Sequence, residues 1–194
     1  MTPIISPDEE KMLLALARAS IQYGLKYGGP LEIELANHPL RLTETGAAFV
    51  TLEKRGELRG CIGSVKAHRP LVADVAEHAW NAAFRDPRFP PLTELEYDQL
   101  SIEISILTQP EEMSFTSEKD LLAQIQPGRD GLIFEDGYRR GLFLPAVWEK
   151  IPDVTEFFHH LKQKAGLPVD HWSNSVRVQR FFSHEFSEDD PSTP

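Results

Sequence analysis

A single cysteine, Cys61, stands among 194 residues. That scarcity excludes an internal disulfide and any paired-cysteine zinc site, and a lone thiol suits the reducing cytosol better than secretion. Long apolar runs are missing too: no stretch reaches the roughly 18 residues of a membrane span. The start, MTPIISPDEEKMLLALARAS, lacks the basic opening and continuous apolar segment of a signal peptide. From these absences we expect a cytoplasmic protein without membrane contact. Basic residues are in deficit, 20 Lys and Arg against 30 Asp and Glu, for a net charge of -10. No whole-chain field therefore attracts nucleic acid, and no aromatics interleave with the cations as a single-strand binder needs. The phosphate-cradling GxxxxGK[ST], the metal-binding HExxH and the G-x-S-x-G elbow do not occur. Adjacent His159 and His160 would point about 100° apart on a helix, and Asp74 with His78 reads as a solvated polar pair, so we expect no built-in metal.

The residues that are present divide into helical and alternating segments. Ser6, Pro7 and Glu9 form a capping box that starts a helix over about 7 to 24, with Leu13, Leu16, Ala17 and Ile21 on one face. AAFVTLE-KRG-ELRGCIG reads as a hairpin with a three-residue loop, setting Leu52 opposite Leu58 and Phe49 opposite Cys61. PLVADVAEHAWNAAF carries Val72, Val75, Ala76, Ala79, Ala82 and Ala83 on one stripe, suited to packing on a sheet. SIEISIL alternates as a half-buried strand. SEKDLLAQIQPG predicts a short helix, and GLIFEDGYRRGLFLP predicts a second hairpin turning at Asp136 and Gly137. Asp153 and Glu156 cap a last helix, and VRVQRFF reads as the final strand. Strands that come as hairpins indicate an α+β class with a largely antiparallel sheet and flanking helices. Residues 1–186 read as a single domain, which could be two-lobed, and 187–194 as a polar, disordered tail.

Chemistry concentrates in LRGCIG, residues 58 to 63. Strict alternation puts Leu58, Gly60 and Ile62 on one face and Glu57, Arg59 and Cys61 on the other. A guanidinium two residues from a thiol favours the nucleophilic thiolate, and flanking glycines let a ligand or strand come close. Equally, Cys61 could be an inert small filler beneath Phe49, since free cysteine is among the most buried residue types. Between Glu57 and Asp74 there is no acid, while Arg59, Lys66, His68 and Arg69 all fall there. A helix beginning near Pro70 adds an N-terminus that favours an anion. FRDPRFPPL then holds Arg85, Asp86 and Arg88 in a stiff proline turn, either as fixed functional groups or, in the plainer reading, as an Asp-Pro turn with an Arg–Asp pair for rigidity. The candidate catalytic residue is Cys61. The candidate ligand-binding residues are Arg59, Gly60, Gly63, Lys66, His68, Arg69 and Arg88, for a small anionic ligand or group.

The string LRGCIG, with FVTLEKRGELRGCIGS, AAFRDPRFPPL, DGLIFEDGYRRGLFLPAVW and FFHHLKQKAGL around it, resembles the AMMECR domain family over about residues 10 to 185. The resemblance implies a compact, two-lobed α+β fold with antiparallel sheets and LRGCIG near a cleft. It also implies a component that acts with a radical S-adenosylmethionine (radical-SAM) protein and a Memo-like protein in a modification pathway. It assigns no reaction and no cofactor. A non-catalytic protein-interaction module is the alternative.

Overall fold

A computed structural model describes residues 5–189. In chain order its elements are α1 (Pro7–Tyr27), α2 (Leu40–Thr43), β1 (Thr45–Lys54), β2 (Glu57–Gly63), β3 (Arg69–Pro70), α3 (Leu71–Phe84), α4 (Glu94–Tyr97), β4 (Leu100–Leu107), β5 (Glu111–Glu112), α5 (Glu118–Gln124), β6 (Gly131–Asp136), β7 (Arg139–Phe143), α6 (Val154–Lys164), β8 (Arg177–Phe181) and β9 (Ser183–Ser187). They form two compact units, one running to Leu107 and resuming at His184, the other spanning Thr108–Ser183. The strand pairs β1–β2, β1–β3, β1–β4, β5–β8, β6–β7 and β6–β8 are antiparallel, which makes the fold α+β.

The first unit is built on the sheet β2-β1-β4-β9, with β3 pairing β1 off this path. Alternation sends Val50 and Leu52 of β1 and Ile102, Ile104 and Ile106 of β4 to one face, where each is fully buried or nearly so. The alanine stripe of α3 covers that face, and α1 packs in turn on α3. Each fully buried aliphatic side chain contributes about 1.5–3 kcal/mol, so this layer is the main stabilising feature of the unit. The capping box at Ser6 and Glu9 starts α1 as expected, and Gly28 in the left-handed region (φ 82°) ends it.

The second unit carries the sheet β5-β8-β6-β7. Its core gathers Phe134, Phe157, Phe158 and Trp148, and the Trp148 ring stacks on Phe157 at 3.6 Å between centroids. The side chain of Asp153 accepts the Glu156 N–H at the start of α6.

Three details depart from the sequence expectations. The β1–β2 hairpin turns through only two residues, Arg55 and Gly56, both with positive φ (55° and 78°), the geometry that matches strand twist. The residue left over becomes a bulge at Arg59: Leu58 sits opposite Glu53, Gly60 opposite Leu52, Cys61 opposite Thr51 and Gly63 opposite Phe49. Leu58 is thereby moved off the core face and is 44% exposed. The second hairpin turns at Gly137 and Tyr138, because Asp136 is already paired with Arg139. Finally, β9 follows β8, and Glu188, placed in the expected tail, binds Arg18 and the Ile102 N–H. Residues 190–194 of that tail lie outside the described residues.

Candidate functional site around Cys61

Gly60 and Gly63 have internal reasons to be glycine. A Cβ on Gly60 would collide with the Ala82 carbonyl oxygen of α3, and one on Gly63 would collide with the Phe49 ring. The space expected to admit a ligand is filled by the chain itself. Packing alone therefore accounts for glycine at both positions.

Arg59 also differs from its expected role. It sits in the bulge, and its guanidinium donates to both Glu96 oxygens (3.0 and 3.2 Å) and to the Pro90 carbonyl (3.0 Å). Lys54 donates to the same carboxylate at 2.9 Å. Arg59 is buried, and its charge there requires this acid. The bonds from Arg59 first, then Lys54, hold the Glu96 carboxyl well below the usual carboxylate range.

Cys61 keeps its predicted place on the face opposite the core and is half-buried. The Thr51 hydroxyl across the ladder donates to its sulfur at 3.3 Å. Strand β2 is an edge of the sheet, so the outward N–H and C=O of Cys61 have no strand to pair with. Side chains of the proline loop take that place. The Cys61 N–H donates to Asp86 Oδ2 at 2.9 Å, and Arg88 Nη2 donates to the Cys61 carbonyl at 3.1 Å. Arg88 also grips both Asp86 oxygens, at 2.9 and 2.6 Å. This bond, with the Cys61 N–H behind it, holds the Asp86 carboxyl far below its ordinary range, and Arg88 is raised mainly by Asp86. Asp86 is buried, while 53% of the Arg88 side chain remains exposed. Arg88 is thus the cation bonded to the Cys61 backbone.

The basic stretch behind the motif is largely neutralised. Arg69 lies 3.4 Å from both Asp74 and Glu77. Asp74 and His78, expected to be solvated, are buried: Asp74 accepts the Ala48 N–H at 3.0 Å and lies 3.2 Å from His78 Nε2. Strand β2 leaves the ladder after Ser64 N–H bonds the Ala48 carbonyl, and the Asp74 carboxylate replaces the missing acceptor for the Ala48 N–H. The first turn of α3 therefore already carries an anion from its own sequence. Lys66 and His68 stay exposed, with His68 Nε2 accepting from Arg69 at 3.0 Å.

Of the expected set, the structure brings Cys61 and Arg88 together and pairs Arg59, Arg69 and Arg88 each with an internal carboxylate, Arg88 alone keeping half of its side chain exposed. Sequence reasoning missed Thr51 and Glu96; it read Asp86 as part of a proline turn stiffened by an Arg–Asp pair, which Asp86 and Arg88 form, but not as a partner of the Cys61 N–H. Glu96 had a signal, because Thr93 and Glu96 form a second capping box. Thr51 comes opposite Cys61 only when the two-residue turn and the bulge at Arg59 are counted together, since the turn alone would set Val50 there. Among the described residues, no group of three or more His, Cys, Asp or Glu is placed to hold a metal, and no helix is long and apolar enough to cross a membrane.

The AMMECR1 family model matches residues 14–186. A protein of Methanothermobacter thermautotrophicus is 40% identical over 192 residues, covering 95% of this chain and 97% of that one. One of Methanocaldococcus jannaschii is 39% identical over 196 residues, covering 97% and 94%. The crystal structure of an uncharacterised protein from Pyrococcus horikoshii superposes with a TM-score of 0.88 at 38% identity, over 98% of this chain and 96% of the other. The chain belongs to the AMMECR1 family.

Proposed function

We propose that this AMMECR1-family chain uses Cys61 and Arg88 as a site for an anionic group, with the sulfur as nucleophile or covalent carrier. It would act in the cytosol as a component of a modification pathway with a radical-SAM protein and a Memo-like protein. The observation that carries this reading is the clip at the edge of β2: Asp86 and Arg88 fix the Cys61 backbone, and half of the Arg88 side chain stays open beside it. A fixed thiol with a neighbouring cation is the arrangement a covalent acceptor of an anionic substrate needs. The partners rest on the family resemblance of the LRGCIG segment and its surroundings.

The test is mass-spectrometric labelling of the native protein with iodoacetamide across pH. The proposal expects Cys61 to be alkylated while the fold is intact, and succinate to slow that alkylation in the wild type but not in Arg88→Gln. A thiol that reacts only after denaturation would remove the covalent role.

A second reading, a non-catalytic interaction module, draws support from the internal use of Arg59, Arg69, Gly60 and Gly63. Co-purification with the two partners would then survive Cys61→Ala. Failure to recover any complex on co-expression of all three chains would count against it.

A further inference from the structure

In the second unit, the connection from α6 to β8 is fastened by polar side chains. None of its residues from Gly166 to Ser175 is fully buried, and Leu167 and Trp172 are its partly buried apolar contacts. Its described backbone bonds are local: Gly166 N–H to the Gln163 carbonyl, Leu167 to Lys162, His171 to Pro168 and Val176 to Ser173. At one end Arg139 Nη1 donates to the Gly166 carbonyl at 2.8 Å. Gly166 has φ 76°, and a Cβ there would lie 2.6 Å from that nitrogen. Further along, the Asp136 carboxylate accepts from His171 Nε2 (2.5 Å), Ser173 Oγ (2.9 Å) and Ser175 Oγ (2.5 Å). Asp136 and Arg139 pair across the turn of the β6–β7 hairpin, so one hairpin tip holds the segment at both ends. Between these ties the His171 carbonyl accepts from Lys162 Nζ at 3.2 Å. Lys162 also donates to Glu118 at 2.7 Å and lies 5.2 Å from the centre of the Phe158 ring. Its side chain is 0% exposed, and it is the one lysine buried among the described residues.

We infer that residues 166–175 form a strap that opens as one unit, with the Asp136 carboxylate as its latch and the Lys162 ammonium as the group it covers. The strap lies wholly in the second unit, so the inference stands apart from the chemistry proposed for Cys61. Of the five side-chain bonds described between the strap and the rest of the unit, three end on Asp136. Losing that one carboxylate therefore releases His171, Ser173 and Ser175 together. A segment with few buried apolar contacts and half-exposed hydrogen bonds opens locally, at a lower free energy than the whole fold. A buried ammonium needs a partner, and Glu118, itself partly exposed, keeps that role when the strap lifts. Water then replaces the His171 carbonyl, and an amine sealed in the closed form becomes accessible.

The experiment applies two readouts to the full chain: hydrogen exchange followed by mass spectrometry, and acetylation of native lysines by an N-hydroxysuccinimide ester. In Asp136→Asn, exchange of the strap amides and acetylation of Lys162 should both rise about tenfold, the size expected when charge-assisted bonds are lost. Amides of α6 and β8, and acetylation of the exposed Lys150, should keep their wild-type rates. The double variant Ser173→Ala with Ser175→Ala keeps the carboxylate and removes two of its bonds, so it should give the same pattern at smaller size even if Asp136→Asn fails to fold. Three results would each overturn the inference. Acceleration of α6 and β8 together with the strap would make Asp136 a support of the whole unit. A strap that exchanges faster while Lys162 acetylation stays unchanged would mean that something else covers the lysine. Unchanged strap exchange in both variants would remove Asp136 as the latch.

Discussion

The two hairpins of this chain carry the same short pattern, Arg59-Gly60-Cys61 in one and Arg140-Gly141-Leu142 in the other. Both glycines lie on strands at the end of their sheets, β2 and β7, and both sit under a helix carbonyl, Ala82 on α3 and Leu161 on α6. Each faces a fully buried neighbour across the ladder, Leu52 or Phe134. What differs is everything around the glycine. The first hairpin has a bulge that buries Arg59 on Glu96; the second is regular and leaves Arg140 half-exposed on Glu135. Cys61 is clipped by Asp86 and Arg88, and no such clip is seen at Leu142. Glycine before the third residue is thus a packing rule shared by both hairpins, and the bulge and the clip distinguish the candidate site.

The comparison is broken most forcefully by adding a methyl group. Gly60→Ala and Gly141→Ala should each cost about 3 kcal/mol, since a Cβ would press on a backbone carbonyl that cannot move aside. Denaturant midpoints of the two variants measure this, and a tolerant Gly60 would restore the idea that its space is kept for a ligand. Next comes the arginine partner. Glu96→Gln should cost about 2–3 kcal/mol because Arg59 is left buried with its charge unmatched. Glu135→Gln should cost less than about 1 kcal/mol, as Arg140 and Arg177 both reach solvent.

Acid sharpens the same contrast. Asp86 and Glu96 are depressed in the folded chain, by Arg88 and by Arg59 respectively. Between the ordinary carboxylate range and these lower values the unfolded chain binds more protons, so stability is full above about pH 4 and falls as pH drops through that window. In the second unit Asp136, held by Ser175, His171 and Ser173, is lowered to about 2 and should add to the loss over the range from about 4 down to about 2. Thermal melts between pH 5 and 2 should therefore show a shallower pH dependence in Glu96→Gln than in the wild type. The smallest effect expected is that of Thr51→Val, which removes the donor to the Cys61 sulfur. It should alter the Cys61 alkylation rate by a factor of about two to ten, with a melting point close to wild type.

Much of this was legible in the sequence because it is local. The Ser6 capping box, the α3 stripe and the alternation of Ile102, Ile104 and Ile106 each depend on residues within a few positions of one another. The bulge was not legible: a spare residue in the hairpin can lengthen the turn or disturb the ladder, and the choice follows from the backbone geometry of Arg55 and Gly56. The face of Cys61 survived that error, whereas Leu58 and Arg59 changed place. Glu96 and Asp86 reach the motif across 37 and 25 residues, distances at which periodicity says nothing. Counting cations alone therefore overstated the basic character of the segment from Arg59 to Arg69. The charges are real, but Arg59 and Arg69 each meet a carboxylate supplied from further along the chain.

The proposed site requires that the open side of Arg88 act on reagents arriving at Cys61. Rates of native Cys61 alkylation by iodoacetate and by iodoacetamide test it most directly, because the two reagents differ in charge and otherwise react alike. The ratio of iodoacetate to iodoacetamide rates should fall severalfold when Arg88 is replaced by Gln, with both proteins folded. A ratio that is the same in the two proteins, or a native Cys61 that neither reagent modifies, would contradict the account.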